Sequence, residues 1–367
     1  MQPLRDIKVV DLSQNLAGPY CTQILGDLGA HVTKIEPPPG DPARAWGPPF
    51  HDGDSTLFLS ANRHKTSLTL DLKSDADRAR LHDLIASADV FVQSFRAGVI
   101  ERLGFDDQSL RAQDPRLIYC SITAYGAAGP LSNQPGYDPL MQARAGLVSV
   151  TGHPGQPARV GTSIVDMGTG MWAAMGILAA LRERDTTGVG AHVSTALFDT
   201  ALAWNAYHIM GYLAGGPVPA PAGTAFPLIA PYDAFPTRDG RLMIAAANDG
   251  LFAKLCDALG LVALKDDPRT RTNPQRVANR TLVDQAVASA TSKHSTAALE
   301  SLLRDAGVPC APVLDVSQVV AEEQTIASGM IVPEETGTLT TIASPLMFDG
   351  KRLPVGSAPH RQEGEKA

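Results

Sequence analysis

The chain has few of the residues that would mark several broad classes. It holds four cysteines in 367 residues, Cys21, Cys120, Cys256 and Cys310, none close to another in sequence. Such spacing offers no metal-ligand pairing and suits buried, reduced thiols. Basic residues never run together, and the formal net charge is −7. Nucleic-acid binding needs a basic surface or stripe, so that class is excluded. Histidines His31, His64, His153 and His208 do not cluster with acids or cysteines, so no metal is expected. The opening "MQPLRDIKVVDLS" passes straight into a strand pattern without a leader's apolar core. The longest apolar stretch, Met171 to Leu181, reads as too short to span a bilayer. Taken together, these absences predict a cytoplasmic protein that binds no membrane.

What is present is a repeating strand and helix pattern. "IKVVDLS" (7–13), "HVTKIEPP" (31–38), "TSLTLDL" (66–72), "DVFVQSF" (89–95) and "RLIYCSITAYG" (116–126) read as strands. Helical spacing fills 18–30 and 75–88. The fold class expected is therefore α/β, with an open Rossmann-like parallel sheet and ligands at the strands' C-terminal ends. The first strand-to-helix turn, "DLSQNLAGPY", lacks G-x-G-x-x-G, so it gives no support for a dinucleotide. Gly18-Pro19 there predicts a tight turn with proline in the first helical turn.

The texture changes after "GGPVPAPAG" (215–223). "LIAPYDAFPTRDGRLMIAAAN" reads as a hairpin, "DGLFAKLCDAL" as a helix with Asp249 at its N-cap, and "ALESLLRDAG" as another helix. Residues 215–325 are expected to form a smaller α+β domain. Residues 1–214 and 326–367 are expected to form the large one, with "TLTTIASPLMFDG" returning to it as strand. The charged tail "HRQEGEKA" is expected to fray.

One carboxylate stands out. "GTSIVDMGTGMWAAMGILAAL" sets Asp166 ahead of a run, Gly168 to Arg184, that is apolar on every face and predicts a buried helix. Asp166 in that place reads either as an ordinary N-cap acid or as a nucleophile. In the second reading the helix N–H groups hold it ionised and steady an oxyanion, while Gly168 and Gly170 let substrate approach the backbone.

That segment strongly resembles the catalytic-aspartate region of class III CoA-transferases. These are CaiB/BaiF-type enzymes that include formyl-CoA and carnitine CoA-transferases. The resemblance continues, in order, through "IKVVDLSQNLAGPYCTQILGDLGAHVTKIEPPPGDPAR", "HKTSLTLDLKS", "FRAGVIERLGF", "GYDPLMQARAGLVSVTG" and "GVPCAPV". It implies that Asp166 takes the acyl group as an anhydride and then CoA as a thioester. CoA and acyl-CoA are then substrates, with no tightly bound cofactor. It further implies CoA contacts at Leu16, Ala17, Arg44, Leu70, Lys73, Ser94, Phe95, Arg96, Arg102, Tyr137 and Asp138. Lys73, Arg96 and Arg102 carry charge suited to phosphates, and Phe95 or Tyr137 suits the pantetheine or adenine. An interlocked homodimer is implied as well, and a small or medium acid with succinyl-CoA as donor.

This chain departs from formyl-CoA transferase at Leu16, where that enzyme has Gln, and at Pro37, where it has Arg; Arg44 is the expected substitute. A glycine-rich covering loop is not recognisable, since "PAGTAFPLIAPY" carries Gly223 alone. These departures argue against formate or oxalate as substrate. The chain also stops soon after "SAP", where relatives usually continue. The related α-methylacyl-CoA racemase uses a His where this chain has Tyr137, and a tyrosine of pKa near ~10 is a poor base at neutral pH. Transferase is therefore preferred over racemase, and over a non-catalytic CoA-binding subunit.

Overall fold

The computed structural model describes residues 1–334 and 339–360. The chain forms two compact units. One comprises residues 1–147, 159–217 and 323 onward; the other comprises 148–158 and 218–322. The last residues of the charged tail, 361–367, lie outside the described residues, as does the first residue of "TLTTIASPLMFDG".

The first unit is built on six parallel strands: β1 (Lys8–Leu12), β2 (His31–Glu36), β3 (Lys65–Thr69), β4 (Val90–Gln93), β5 (Ile118–Thr123) and β6 (His192–Ala196). Their spatial order is β3-β2-β1-β4-β5-β6. This is the doubly wound order, with its reversal between β1 and β4, where such sheets bind ligands. Strand β1 is buried at Val9, Val10, Asp11 and Leu12, as a central parallel strand flanked by helices must be. The sixth strand is an addition to the sequence reading.

Helix α1 (Ala17–Asp27) follows β1, α2 (Asp75–Ala86) precedes β4, and α3 (Asp138–Arg144) leads towards the long helix α4 (Ile164–Thr187). Helices α1 and α4 pack on the same core as Val9, Val92 and Ile118, through Cys21, Leu25, Ala173, Ala174 and Ile177. Helix α4 has 24 residues and is, by length and composition alone, apolar enough to cross a membrane, longer than the sequence suggested. Its burial is one-sided: Met171, Trp172 and Met175 are exposed, which corrects the expectation of burial all round. Beyond β6 come α5 (Leu197–Trp204) and α6 (Ala206–Leu213). The C-terminal segment belongs to this unit, with the antiparallel pair Ile331–Pro333 and Thr340–Ile342, and with Leu353 in the core.

The second unit has a three-stranded antiparallel sheet of β7 (Tyr232–Pro236), β8 (Arg241–Ala245) and β9 (Cys310–Pro312). Three helices pack on it: α7 (Asp249–Leu259), α8 (Arg280–Thr291) and α9 (Thr296–Asp305). The expected hairpin through "TRDG" is present as β7 and β8. The N-cap of α7 is Asn248, whose Oδ1 accepts the Leu251 N–H at 2.9 Å; Asp249 lies inside the first turn, one residue later than expected. Arg276 is wholly buried, donating to Ala230 O, Thr270 O and Asp249 Oδ1.

Candidate active site

A cleft of about 420 Å³ opens at the C-terminal ends of β1 and β4, where the strand order reverses. Gln14 to Gly18 form one wall, Ser94 to Arg96 and Val99 a second, and Gln134 to Tyr137 a third. Asp166 reaches it from the first turn of α4.

The first wall is a loop pinned from behind. Lys34 Nζ donates to Ser13 O at 2.9 Å, Gln14 N–H donates to Ser94 Oγ at 3.2 Å, and Asn15 N–H donates to Asp41 Oδ1 at 3.1 Å. Asn15 sits at φ 68°, the left-handed region that asparagine tolerates better than most residues. Gly18 allows the turn to close, since a Cβ there would stand 2.2 Å from Ser13 Cβ. Helix α1 begins at this point, so Ala17 and Gly18 line the cleft at the positive end of the helix dipole; Pro19 has no N–H.

Asp166 is the third residue of α4, and the N-cap position belongs to Ser163, whose side chain makes no cap bond. The cap comes from another helix. Asp138, 1 % exposed, accepts through Oδ2 from Val165 N–H at 2.7 Å and Asp166 N–H at 3.2 Å. Its Oδ1 accepts from Gln142 Nε2 at 2.5 Å. The α4 N–H groups therefore serve Asp138, which corrects the expectation that they hold Asp166 ionised. Burial pushes the Asp166 carboxyl up to about 7, and the negative charge of Asp138 adds to the rise.

The two glycines also work differently from the sequence reading. A Cβ on Gly168 would meet the Trp204 indole at 2.6 Å, and one on Gly170 would meet Ala17 O at 2.5 Å. They admit α5 and α1 to the side of α4, which brings the start of α1 and Asp166 to one cleft.

Of the residues singled out by sequence, Leu16, Ala17, Ser94, Phe95, Arg96, Tyr137 and Asp166 line the cleft. Five stand elsewhere. Arg44 is buried, its guanidinium donating to Glu36 at 2.7 and 2.8 Å and to Asp54 at 2.8 Å. Two carboxylates already answer its charge, so it offers nothing to a phosphate. Leu70 is in a core cluster with Phe91 and Tyr119. Lys73 is exposed beyond β3, and Arg102 is exposed on the short helix Val99–Arg102, whose first residue lines the cleft. Asp138 faces α4. Sequence reasoning passed over Gln14, Asn15 and Gln134. Their place in the first turn and in the loop before α3, at the switch point, was the available signal.

Trp46 lies edge-on to Tyr137, with ring centroids 6.3 Å apart. A second, largely apolar cavity of about 500 Å³ shares the Leu16 wall and is lined by Tyr20, Leu57, Met167, Met330 and Ile342. Another polar chain has the order of a nucleophile relay: Ser121 Oγ to His192 Nε2 at 2.8 Å, and His192 Nδ1 to Asp107 at 3.2 Å. Ser121 is buried in the sheet and does not line the cleft, so this chain is a tie between β5 and β6. Among the described residues no three His, Cys, Asp or Glu side chains converge to hold a metal.

The first unit is thus a doubly wound α/β fold with a half-buried carboxylate, Asp166, at its switch-point cleft. The chain belongs to the CoA-transferase family III, whose model matches residues 4–363. It is 40% identical to acetyl-CoA:oxalate CoA-transferase of Acetobacter aceti, over 95% of this chain and 90% of that protein. It is 39% identical to succinate–glutarate CoA-transferase of Agrobacterium fabrum, over 96% and 89%. A solved CaiB/BaiF family protein from Brucella suis superposes with a TM-score of 0.87 at 38% identity, covering 98% of this chain and 96% of that one.

Proposed function

We propose that the enzyme moves CoA from an acyl-CoA donor to a carboxylic acid through Asp166. The carboxylate adds to the thioester carbonyl, the C–S bond breaks, and CoA leaves as thiolate with an acyl–aspartyl anhydride behind it. The thiolate then attacks the Asp166 carbonyl, releasing the donor acid and leaving an aspartyl-CoA thioester. An acceptor carboxylate adds to that thioester and expels the thiolate, which attacks the acceptor's carbonyl. The new acyl-CoA departs and Asp166 returns as carboxylate. No proton is consumed over the cycle. Carboxylate, anhydride and thioester are close in reactivity, so positioning and oxyanion stabilisation carry the rate. We assign the oxyanion to the Ala17 and Gly18 N–H groups at the start of α1, since those of α4 are occupied.

The observation that carries this reading is the placement of Asp166 in the switch-point cleft beside the α1 N-terminus. Arg96 on the rim suits a CoA phosphate, and Phe95 and Tyr137 suit the pantetheine arm or the adenine. Succinyl-CoA is the donor we favour: relatives named for succinate with glutarate or mesaconate align over most of the chain. The cavity behind Leu16 gives room for a medium acid's carbon chain. One relative is named for oxalate, a two-carbon acid. The test is to incubate the enzyme with acyl-CoA, add hydroxylamine, and map modification by mass spectrometry. A hydroxamate at Asp166 is expected; an unmodified Asp166 in an enzyme that turns over would sink the mechanism.

A carboxyl titrating near 7 also suits proton abstraction, so the racemase reading keeps one observation in its favour. Incubating a 2-methylacyl-CoA in deuterated water separates the two: α-deuterium without CoA transfer would favour the racemase.

The apolar face of the first unit supports a homodimer. No residue of α6 is buried, although its sequence is AYHIMGYL. Met171, Trp172 and Met175 of α4 and Trp204 of α5 are exposed as well, with the Trp172 and Trp204 ring centroids 6.3 Å apart, and exposed apolar surface of this kind marks interfaces. Sedimentation should give a dimer at micromolar concentration, and a monomer there would remove this part. All four cysteines are free, which fits a cytoplasmic location.

A further inference from the structure

We propose that Asp138 is a positioning residue for Asp166: it caps α4 from outside and keeps that helix's N-terminal N–H groups away from the nucleophile's carboxylate. The inference rests on Asp166 being the acyl carrier. An acid in the first turn of a helix ordinarily gains from the unpaired N–H groups there. In α4 the Val165 and Asp166 N–H groups both donate to Asp138 Oδ2, at 2.7 and 3.2 Å. The other oxygen is held by Gln142 Nε2, and Gln142 Oε1 in turn accepts from Val160 N–H at 2.8 Å. Helix α3, the strap before α4, and the first turn of α4 are thus clamped through a single carboxylate. The cap could have come from a neutral side chain at Ser163. A charged group supplied from 28 residues upstream does something more, because it places a second negative charge beside the nucleophile.

The groups on the surrounding elements leave that charge unopposed. Arg96 stands on the rim beyond β4, Tyr137 lies at the start of α3, and Tyr20 sits on α1 facing the cavity behind Leu16. Arg144, at the end of α3, stacks on Tyr125. Asp199 on α5 adds no positive charge. Of these neighbours only Asp138 exerts a resolved influence on Asp166, and it acts in the same direction as burial. A carboxylate kept basic in this way is a stronger nucleophile towards a thioester than a solvated one, provided the pH allows it to ionise.

The experiment compares the wild-type enzyme with Asp138→Asn and Asp138→Ala. Asparagine keeps an oxygen for the cap and loses the charge; alanine loses both. The pH profile of kcat/KM between pH 5 and 9, with succinyl-CoA as donor, should rise through an inflection near 7 in the wild type. In Asp138→Asn the inflection should fall by about one unit, staying above the ordinary carboxylate range because burial remains. Its KM for the thioester should stay within about twofold, whereas Asp138→Ala should lose at least about tenfold in kcat. An unmoved inflection would overturn the proposal. So would a tenfold rise in KM at constant kcat, which would mark Asp138 as a direct CoA contact.

A second arm needs no activity. Because the Asp166 carboxyl is raised on folding, the stability it contributes is complete below the unfolded value of 3.8 and is lost as pH rises towards 7. Asp166→Asn should therefore raise Tm more at pH 8 than at pH 5. In the Asp138→Asn background that difference should shrink. If it does not, the positioning role fails, even should the wild type prove to transfer no CoA. If it shrinks while no CoA is transferred, only the transfer mechanism fails.

Discussion

Two aspartates of one unit receive opposite treatment. Asp11, on β1, is wholly buried, yet its carboxyl is drawn down to about 2: Lys65 and Lys34 outweigh the desolvation, and Ser13 and Thr22 donate to it. Asp166, less deeply placed, is pushed up to about 7. The difference is partners. Lys65 Nζ reaches Asp11 at 3.1 Å and also donates to Pro19 O and Asn62 Oδ1. Lys34 pairs with Asp41 at 2.8 Å, and Arg44 with Glu36 and Asp54. Every charge in that group is answered, and the group's product is geometry: it fixes the loop Ser13–Asn15 and the start of α1. Asp166 has no cation, and its nearest charge is negative. The buried charges that are paired build the frame, whereas Asp166, with no cation beside it, is left able to react.

The largest effect should come from removing the reactive member. Asp166→Ala should lower CoA transfer by at least about 10³-fold, measured as kcat with succinyl-CoA. The frame should show the next largest effect, and in stability. Lys65→Met strands Asp11 in the interior and should cost about 3–5 kcal/mol by urea unfolding, with Asp11→Asn added to it recovering part of the loss. The same contrast has a pH signature. Asp11 and Glu36 both fold with carboxyls near 2, below 3.8 and 4.5. The stability they contribute is present above their unfolded values and disappears as pH falls towards 2. Asp166 acts with the opposite sign between 3.8 and 7, so Asp166→Asn should flatten the neutral limb of a Tm–pH curve and leave the acid limb in place.

A steric change ranks below these. Gly170→Ala would set a Cβ 2.5 Å from Ala17 O, a backbone atom that cannot swing aside. Overpacking of this kind costs about 1–3 kcal/mol. It should also slow transfer, because it separates the start of α1 from Asp166, and it should do so without moving the pH inflection.

Much of this was legible in the sequence, and the reasons for the rest are physical. Strands β1, β4 and β5 announce themselves as buried, largely apolar runs between turn residues. The sixth, His192–Ala196, does not, because its burial alternates from an exposed His192 and it carries few apolar residues. Asp166 was recognisable by its place before a long apolar helix and by family resemblance. Its environment was not, since the group that caps α4 lies 28 positions away and no local pattern reports it. Arg44 illustrates the same limit: expected to stand in for the arginine missing at Pro37, it meets Glu36 and Asp54 only once the chain has turned back on itself. Gly168 and Gly170 were seen as special for the right reason, close approach, but the approaching groups are Trp204 and Ala17.

The smallest expected effect sharpens the comparison by supplying a cap without chemistry. In the second unit Asn248 caps its own helix, α7, with a neutral oxygen 2.9 Å from Leu251 N–H. The carboxylate next to it, Asp249, is paired with Arg276 at 2.7 Å. Asn248→Ala should cost about 1 kcal/mol, the ordinary worth of an N-cap, with the loss the same at pH 5 and pH 8. The cap on α4 differs in two respects: it comes from a distant helix and it is charged. If Asn248→Ala destabilises evenly across pH while Asp138→Asn alters the pH dependence, the two caps are distinguished by charge and not by hydrogen bonding. A pH-dependent loss at Asn248 would mean that helix capping alone can reshape the titration, and the contrast between frame and reactive carboxylate would need another basis.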